Sequence, residues 1–361
     1  MPHRRALSLA RAQDGLISRR QALAAGMTAE AVRHAIRSGG PWQRVLPGVY
    51  ATFNGPLGRL HRLRAALLYA GEEALITGPW ACELHGLRYG PSVTDDVDVL
   101  VPWARGQRGH GFVRAVRTRR MPEGERWVDD QRLAALQGDG PPLDEVLDAL
   151  APSASPGVVP IAAAARAVVD TVVRWTHLPA DWRPRCSRPD GCPACWHDPE
   201  HHRAIALRNT RALLCEAVQR RRTTVAALRA EVAAAPRRGG ALARLAMRDI
   251  DAGCRSAPEC ELRDLVRTSR LLPEPRWNQP LPGHRGVHPD ACWQHARLVV
   301  EVDSRSFHGF GDAPARTEER RARYAALGWR VLPVSPARLR GMPAAVLREI
   351  EAAYLAGFGD G

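Results

Sequence analysis

The stretch Leu298-Val299-Val300-Glu301-Val302-Asp303 constrains the chain most, because it must be a strand and yet ends in acids. Apolar, largely β-branched residues crowd it, and side chains on a strand alternate between faces. Leu298, Val300 and Val302 therefore share one face, and Val299, Glu301 and Asp303 the other. Paired carboxylates on one face of an otherwise apolar strand cost desolvation and repel each other. A cation or a polar ligand is the simplest compensation. Asp290, after Pro289 near the end of the preceding predicted strand, can face the same point. Acids converging at strand ends suit a hard, oxygen-seeking ion such as Mg²⁺. Such an ion could polarise a phosphodiester and activate a water.

The surrounding sequence predicts an order α-β-β-β-α-β-α from Gly253 onward. A helix starts near Ser256 and runs to about Thr268. Strand signals follow around Asn278–Leu281, Val287–Cys292 and Arg297–Asp303. A polar helix over 313–327 stops at Gly328, an expected C-terminal glycine. Trp329–Val334 reads as a strand packed in the core, and Ala344–Tyr354 as the last helix.

Residues 253–357 resemble the very-short-patch-repair-type branch of the PD-(D/E)XK nucleases. The matching text is Ser256-Ala-Pro-Glu259-Cys-Glu-Leu262-Arg263, Pro289-Asp290, Glu301-Val-Asp303-Ser304 and His308. It continues with Arg320-Arg321 and Leu327-Gly328-Trp329-Arg330-Val331-Leu332. The resemblance implies that Asp290 and Glu301 hold the metal and that Glu259, on the first helix, completes the site. Arg263, one turn further on the same helix face, is then a phosphate contact. Glu261 lies on a different face and ranks below Glu259. His308 becomes a proton donor or a hydrogen-bond partner of the scissile phosphate. The superfamily's final lysine is absent, and Asp303 stands in its place, as in this branch.

Residues 1–53 predict three short helices and a hairpin. The first helix covers about 5–13. Ser18 and Gln21 have capping-box spacing, which starts the second at Arg19 and stops it at Gly26. Thr28 caps the third, which ends at Gly39-Gly40. Arg44-Val45-Leu46, Pro47-Gly48 and Val49-Tyr50-Ala51 read as strand, turn and strand. On the third helix Ala29, Val32 and Ile36 form an apolar face, opposite Glu30, Arg33, His34 and Arg37. Arg33, His34 and Arg37 on the last helix before a hairpin suit a major-groove reader, with Arg19 and Arg44 on phosphates. The solvated face of an arginine-rich protein is the plainer alternative. The string from Gly15 to Gly26, with Gly39 and Arg44-Val45-Leu46-Pro47-Gly48-Val49-Tyr50, resembles the N-terminal domain of AbiEi-type antitoxins. The likeness runs on weakly through Trp80-Ala-Cys-Glu-Leu-His-Gly86-Leu87 and Val97–Pro102. It implies a winged helix that binds DNA, and a cognate toxin as a partner.

Between these ends, Leu60–Tyr69 and Ile161–Trp175 read as helices and Val97–Val101 as a strand. Residues 121–160 look like a loose connector, and helices resume at about 204–219, 224–235 and 240–251. Cys186, Cys192, Cys195 and His197 form a candidate structural Zn²⁺ set, against the alternative of a loop of reduced thiols. The net charge of +14 favours polyanion partners, although all 52 basic residues are arginine, a bias that discounts some of them. The apolar stretch at 158–173 is broken by Arg166 and Asp170, and no secretory signal follows Arg5. A cytoplasmic chain is expected, its cysteines reduced, buried or metal-bound.

The reading is an α+β multidomain protein. It comprises a winged helix (1–53), an antitoxin-like α/β region and connector (54–177), a Cys/His insert (178–203), a helical region (204–252) and the nuclease-like domain (253–357). The expected function is a DNA-targeted, Mg²⁺-dependent endonuclease or nickase. The alternative is a non-catalytic transcriptional regulator or antitoxin-like protein that keeps a vestigial nuclease fold.

Overall fold

The computed structural model describes residues 2–131, 134, 156–175, 199–284, 286–302 and 313–358. The protein is a mixed α+β chain that divides into two compact units, Met1–His177 and Leu178–Gly361. None of the described helices is long and apolar enough to cross a membrane.

The first unit opens with α1 (Pro2–Arg11), β1 (Leu16–Ser18), α2 (Arg19–Ala24), α3 (Ala29–Ala35), β2 (Gln43–Leu46) and β3 (Val49–Ala51). The predicted caps are present. Ser18 and Gln21 form a reciprocal capping box, and the Thr28 hydroxyl accepts from the Ala31 N–H. Strand β1, unforeseen in sequence, pairs with β3 to make a three-stranded sheet ordered β1-β3-β2. Helix α3 is shorter than expected, and its inward residues are Val32 and Ala35, while Ala29 is exposed. They pack with Ala6, Ile17, Met27, Trp42 and Tyr50.

Next come α4 (Arg59–Ala70), β4 (Leu75–Ile76), α5 (Gly78–Leu84), β5 (Val97–Pro102), β6 (Val113–Thr118), β7 (Gly124–Val128), β8 (Val158–Ala162) and α6 (Ala164–Trp175). Their strands form a mixed sheet ordered β6-β5-β4-β8-β7. The connector expected over 121–160 thus contains β7 and part of β8, and the helix expected from Ile161 begins only at Ala164. The alternating pattern of β7 was masked by its charged residues Glu125 and Arg126. The two segments of this unit are joined by Arg64, whose side chain is 1% exposed. It pairs with Asp14 at 3.1 Å and donates to the Val158 carbonyl at 2.8 Å.

The second unit begins with the helices α7 (Pro199–Gln219), α8 (Val225–Ala234) and α9 (Ala241–Asp251), close to their predicted spans. Then follow α10 (Ala257–Val266), β9 (Arg276–Trp277), β10 (Ala291–Trp293), β11 (Leu298–Val302), α11 (Ala313–Ala326), β12 (Arg330–Val334), α12 (Pro336–Gly341) and α13 (Pro343–Leu355). The predicted order appears, with α12 added; Ser335 caps it and Pro336 opens it. Strands β9 and β10 are displaced from expectation. Asn278 adopts a left-handed φ of 50°, which ends β9 one residue earlier, and Pro289 delays β10.

The sheet runs β12-β11-β10-β9, with β11 and β12 parallel and the other pairs antiparallel. Strand β11 is covered on both faces. Leu298 and Val300 pack with Leu262 and Val266 of α10 and Val346 and Ile350 of α13. Val299 packs on the other side with Cys292, Tyr324 and Trp329. The helical region is tied to this core by charge. Arg211 binds Asp249 at 2.7 Å and Asp264 at 2.6 Å, and Arg263 binds Asp249 at 2.9 Å.

Candidate functional site

The antiparallel register pairs Ala291 with Val300, so one further step places Asp290 opposite Glu301. The two acids are stitched together through the backbone. The Val302 N–H, next to Glu301, donates to Asp290 Oδ2 at 2.7 Å. Glu301 is 2% exposed. Tyr324 Oη donates to its Oε1 at 2.9 Å from α11, while its Oε2 receives no hydrogen bond and meets the Arg320 guanidinium only as an ion pair. Asp290 is half-buried at the wall of an open cleft of ≈ 460 Å³, lined also by Arg255, Asn278, His288, Arg320 and Arg323.

Burial sets the protonation behaviour of these acids. It pushes Asp290 well above the usual carboxylate range, and repulsion from Glu259 and Glu301 adds to it. It raises Glu301 too, against the opposing pull of Arg320 and the Tyr324 hydroxyl. Tyr324 is itself pushed up by burial and by the Glu301 charge. A solvated strand edge would show none of this.

Glu259 stands at the third position of α10 and is buried. Its Oε1 accepts from the Ser256 hydroxyl at 2.7 Å, and its Oε2 from the Arg255 N–H at 2.8 Å and from the Asn278 amide. Burial raises Glu259 as well, with these three donors opposing. Its oxygens are thus consumed by the helix cap, a different situation from that of a free ligand. Arg263 is also placed otherwise than its expected phosphate role. Asp249 and Glu274 hold its guanidinium at 2.9 and 2.8 Å, and its side chain is largely buried. Among the described residues no group of His, Cys, Asp or Glu side chains is assembled as a metal-ligand set. Asp303 and His308 lie outside the described residues.

Several participants carry no marker in the sequence. Asn278 bridges the elements: its amide reaches Glu259 and the Gly253 carbonyl, its N–H the Asp290 carbonyl at 3.2 Å, and its own carbonyl accepts from Arg255. An asparagine beside a predicted strand end is the one usable hint, since Asn tolerates left-handed backbone. Arg320 stands in the nuclease-like string without an assigned role, and Tyr324 reads only as a helix-face residue.

In the first unit, Arg19, Arg33, His34, Arg37 and Arg44 are all exposed. Arg33 and His34 occupy α3, Arg37 follows it, and Arg44 stands on β2. None of the five pairs with a carboxylate among the described residues. Arg20, beside Arg19, is paired with Glu72.

Cys186, Cys192, Cys195 and His197 lie outside the described residues. Cys82, Cys215, Cys254, Cys260 and Cys292 are buried. Cys260 is drawn down to about 4 by hydrogen bonds from the Cys215 and Cys254 thiols, with Arg211 assisting.

No protein-family model matches the chain, and no solved structure does. Two uncharacterized proteins of Mycobacterium tuberculosis, from the strains CDC 1551 / Oshkosh and H37Rv, are each 32% identical to it over 127 residues. The match covers 34% of this chain and 46% of each relative, so the chain spans about half the length of the curated relatives it matches.

Proposed function

We propose that the second unit carries a metal-dependent DNA endonuclease or nickase site, delivered to DNA by a winged-helix reader at the N-terminus. One observation carries the enzyme half. Asp290 and Glu301 stand side by side at neighbouring strand ends, and the buried Glu301 Oε2 is met only by the Arg320 guanidinium, as an ion pair. Their chemistry fits a hard divalent cation, since the donors are carboxylate oxygens whose mutual repulsion such an ion would relieve. Asp290 and Glu301 would hold Mg²⁺, which when bound supplies the charge that polarises a phosphodiester.

The chain's own groups do the rest. Arg255, Arg320 and Arg323 line the cleft and would seat the DNA backbone. Tyr324 holds Glu301 in place, and Ser256, Arg255 and Asn278 fix Glu259 behind Asp290. His308 is assigned the proton-moving role and Asp303 the third acid, on the resemblance alone. On the reader, Arg33, His34 and Arg37 face base edges, and Arg19 and Arg44 hold phosphates.

Supercoiled plasmid tests the reading. We expect nicking that requires Mg²⁺ and disappears in Glu301→Ala; equal cleavage by the variant, or none on any DNA or RNA, refutes it. A second reading has its own support, because Arg320 already neutralises Glu301 and no ligand set is assembled among the described residues. The protein would then be a non-catalytic transcriptional regulator or antitoxin-like DNA binder, with a toxin as partner. Retarded migration of its own upstream DNA, unchanged by Glu301→Ala and without nicking, would favour it.

A further inference from the structure

Beyond the reader's helix, the first unit displays a second cluster of free cations. The sheet order leaves β6 at an edge. Around it, Arg108, Arg117 and Arg119 are exposed and form no ion pair among the described residues. Neighbouring Arg105 and Arg114 are already neutralised, by Glu73 at 3.1 Å and Asp96 at 2.6 Å.

Two of these arginines are held in place. Trp103 is 48% exposed, and the Arg117 and Arg119 guanidinium carbons lie 4.6 and 5.4 Å from its ring centroid. A stacked guanidinium keeps its N–H fork available at the edge while losing rotamer freedom. Less entropy then remains to be lost when an anion docks. A large aromatic left half in water between unpaired arginines has no evident part in folding.

The loop that carries Arg108 also reaches the predicted wing. The loop after Trp103 carries Arg108 and packs on the β2–β3 hairpin at Gly111, where a Cβ would lie 3.3 Å from Leu46 Cδ2. Leu46 is two residues from Arg44 on the same strand.

Resting on the DNA-binding reading above, we infer that Arg108, Arg117 and Arg119, the last two supported by Trp103, form a second DNA contact that grips the phosphate backbone flanking the segment read by α3. The partner is the backbone of the same duplex, since forked donors without base-sized pockets suit phosphate.

The test is salt-dependent binding of the full chain to a fluorescein-labelled random-sequence duplex, followed by anisotropy. Each phosphate contact contributes roughly 0.9 to the slope of log K against log salt, so these three contribute about 2.7. Between roughly 50 and 200 mM salt the wild type should therefore lose about 40-fold more affinity than the triple variant Arg108→Gln/Arg117→Gln/Arg119→Gln. The charge-retaining triple variant with lysine should keep the wild-type slope, which separates lost contacts from lost folding. An unchanged slope in the glutamine variant, with binding still abolished by Arg33→Gln/Arg37→Gln, overturns this inference and leaves the reader intact. No binding by the wild type at low salt overturns both.

Discussion

Removing one hydroxyl, by Tyr324→Phe, isolates the hydrogen bond that holds the candidate metal acid. The ring stays where it is, packed with Leu281, Val287, Cys292, Val299 and Trp329. What is lost is a 2.9 Å bond to Oε1 of Glu301, a carboxylate only 2% exposed. Its other oxygen meets only the Arg320 guanidinium, as an ion pair, so no other hydrogen bond to Oε1 takes the place of the lost one. A hydrogen bond to a charged group contributes about 1.5–3 kcal/mol, which for a unit of this size lowers Tm by roughly 3–12 °C. The pH dependence follows from the sign of the shift. Glu301 titrates above the ordinary carboxylate range in the folded state. Its protonation therefore favours the folded state, fully so below the unfolded value, and this contribution is lost as pH rises through the folded value. Without the Tyr324 hydroxyl the folded value climbs further. The variant's deficit should be largest at neutral pH and shrink on acidification, as the neutral carboxyl asks less of a donor. Thermal melts of both proteins between neutral and mildly acidic pH measure this. A deficit below about 0.5 kcal/mol, or one that grows on acidification, would refute the picture of a charged, donor-dependent Glu301.

Other outcomes follow from the same geometry. Asp290→Asn should raise the melting temperature at neutral pH, because it removes a carboxylate that burial and two neighbours push upward, and the gain should vanish at acidic pH; a loss at neutral pH would contradict it. Arg211→Leu should destabilise by less than the about 3–5 kcal/mol of a stranded buried charge, because Arg263 still pairs with Asp249, and Arg211→Leu/Asp249→Leu should recover part of the loss in urea unfolding. Ser256→Ala should cost roughly 1 kcal/mol of stability through the lost cap, and should lower any Mg²⁺-dependent nicking by loosening Glu259; unchanged nicking would leave Glu259 without a role. Zinc bound to the purified protein, measured by metal analysis, should fall in Cys192→Ser if the Cys186, Cys192, Cys195 and His197 set is a ligand cluster; equal zinc in both would dismiss it.

Local chemistry made much of this fold legible. Ser18, Gln21 and Thr28 announce their helices through side-chain bonds to nearby N–H groups, so a window of a few residues suffices. The same holds for Gly328 and for β11, whose apolar faces are both covered. The elements that were missed depend on distant partners. Leu16–Ser18 becomes a strand only because Val49–Ala51 lies alongside, and Gly124–Val128 only because Val158–Ala162 does. The site divides in the same way. Asp290 and Glu301 were legible because acids in apolar strands carry their own cost. The roles of Asn278, Arg320 and Tyr324 depend on how helices dock over the sheet, which no spacing encodes. Arg263 shows the converse: a helix-face position one turn from Glu259 was read correctly as a face, but its partners, Asp249 and Glu274, come from elsewhere in the chain.

The acid notch is hard to explain as mere architecture. A fold that needed only a stable strand at β11 would do better with an apolar residue at 301, since Val299 already packs against Tyr324 and Trp329 on that face. Instead the chain buries a glutamate, sets an aspartate opposite it and a third carboxylate nearby, and leaves one oxygen to an ion pair with Arg320 alone. Arg320 offsets part of that cost from α11, and its side chain, 45% exposed, lines the cleft. A guanidinium so placed has two uses that coincide. It pairs with Glu301, and on the proposed nuclease reading it would turn to a phosphate if a divalent ion took over the carboxylates. The arrangement fits the site proposed above, in which one counter-charge would replace another, better than it fits a core built for stability alone.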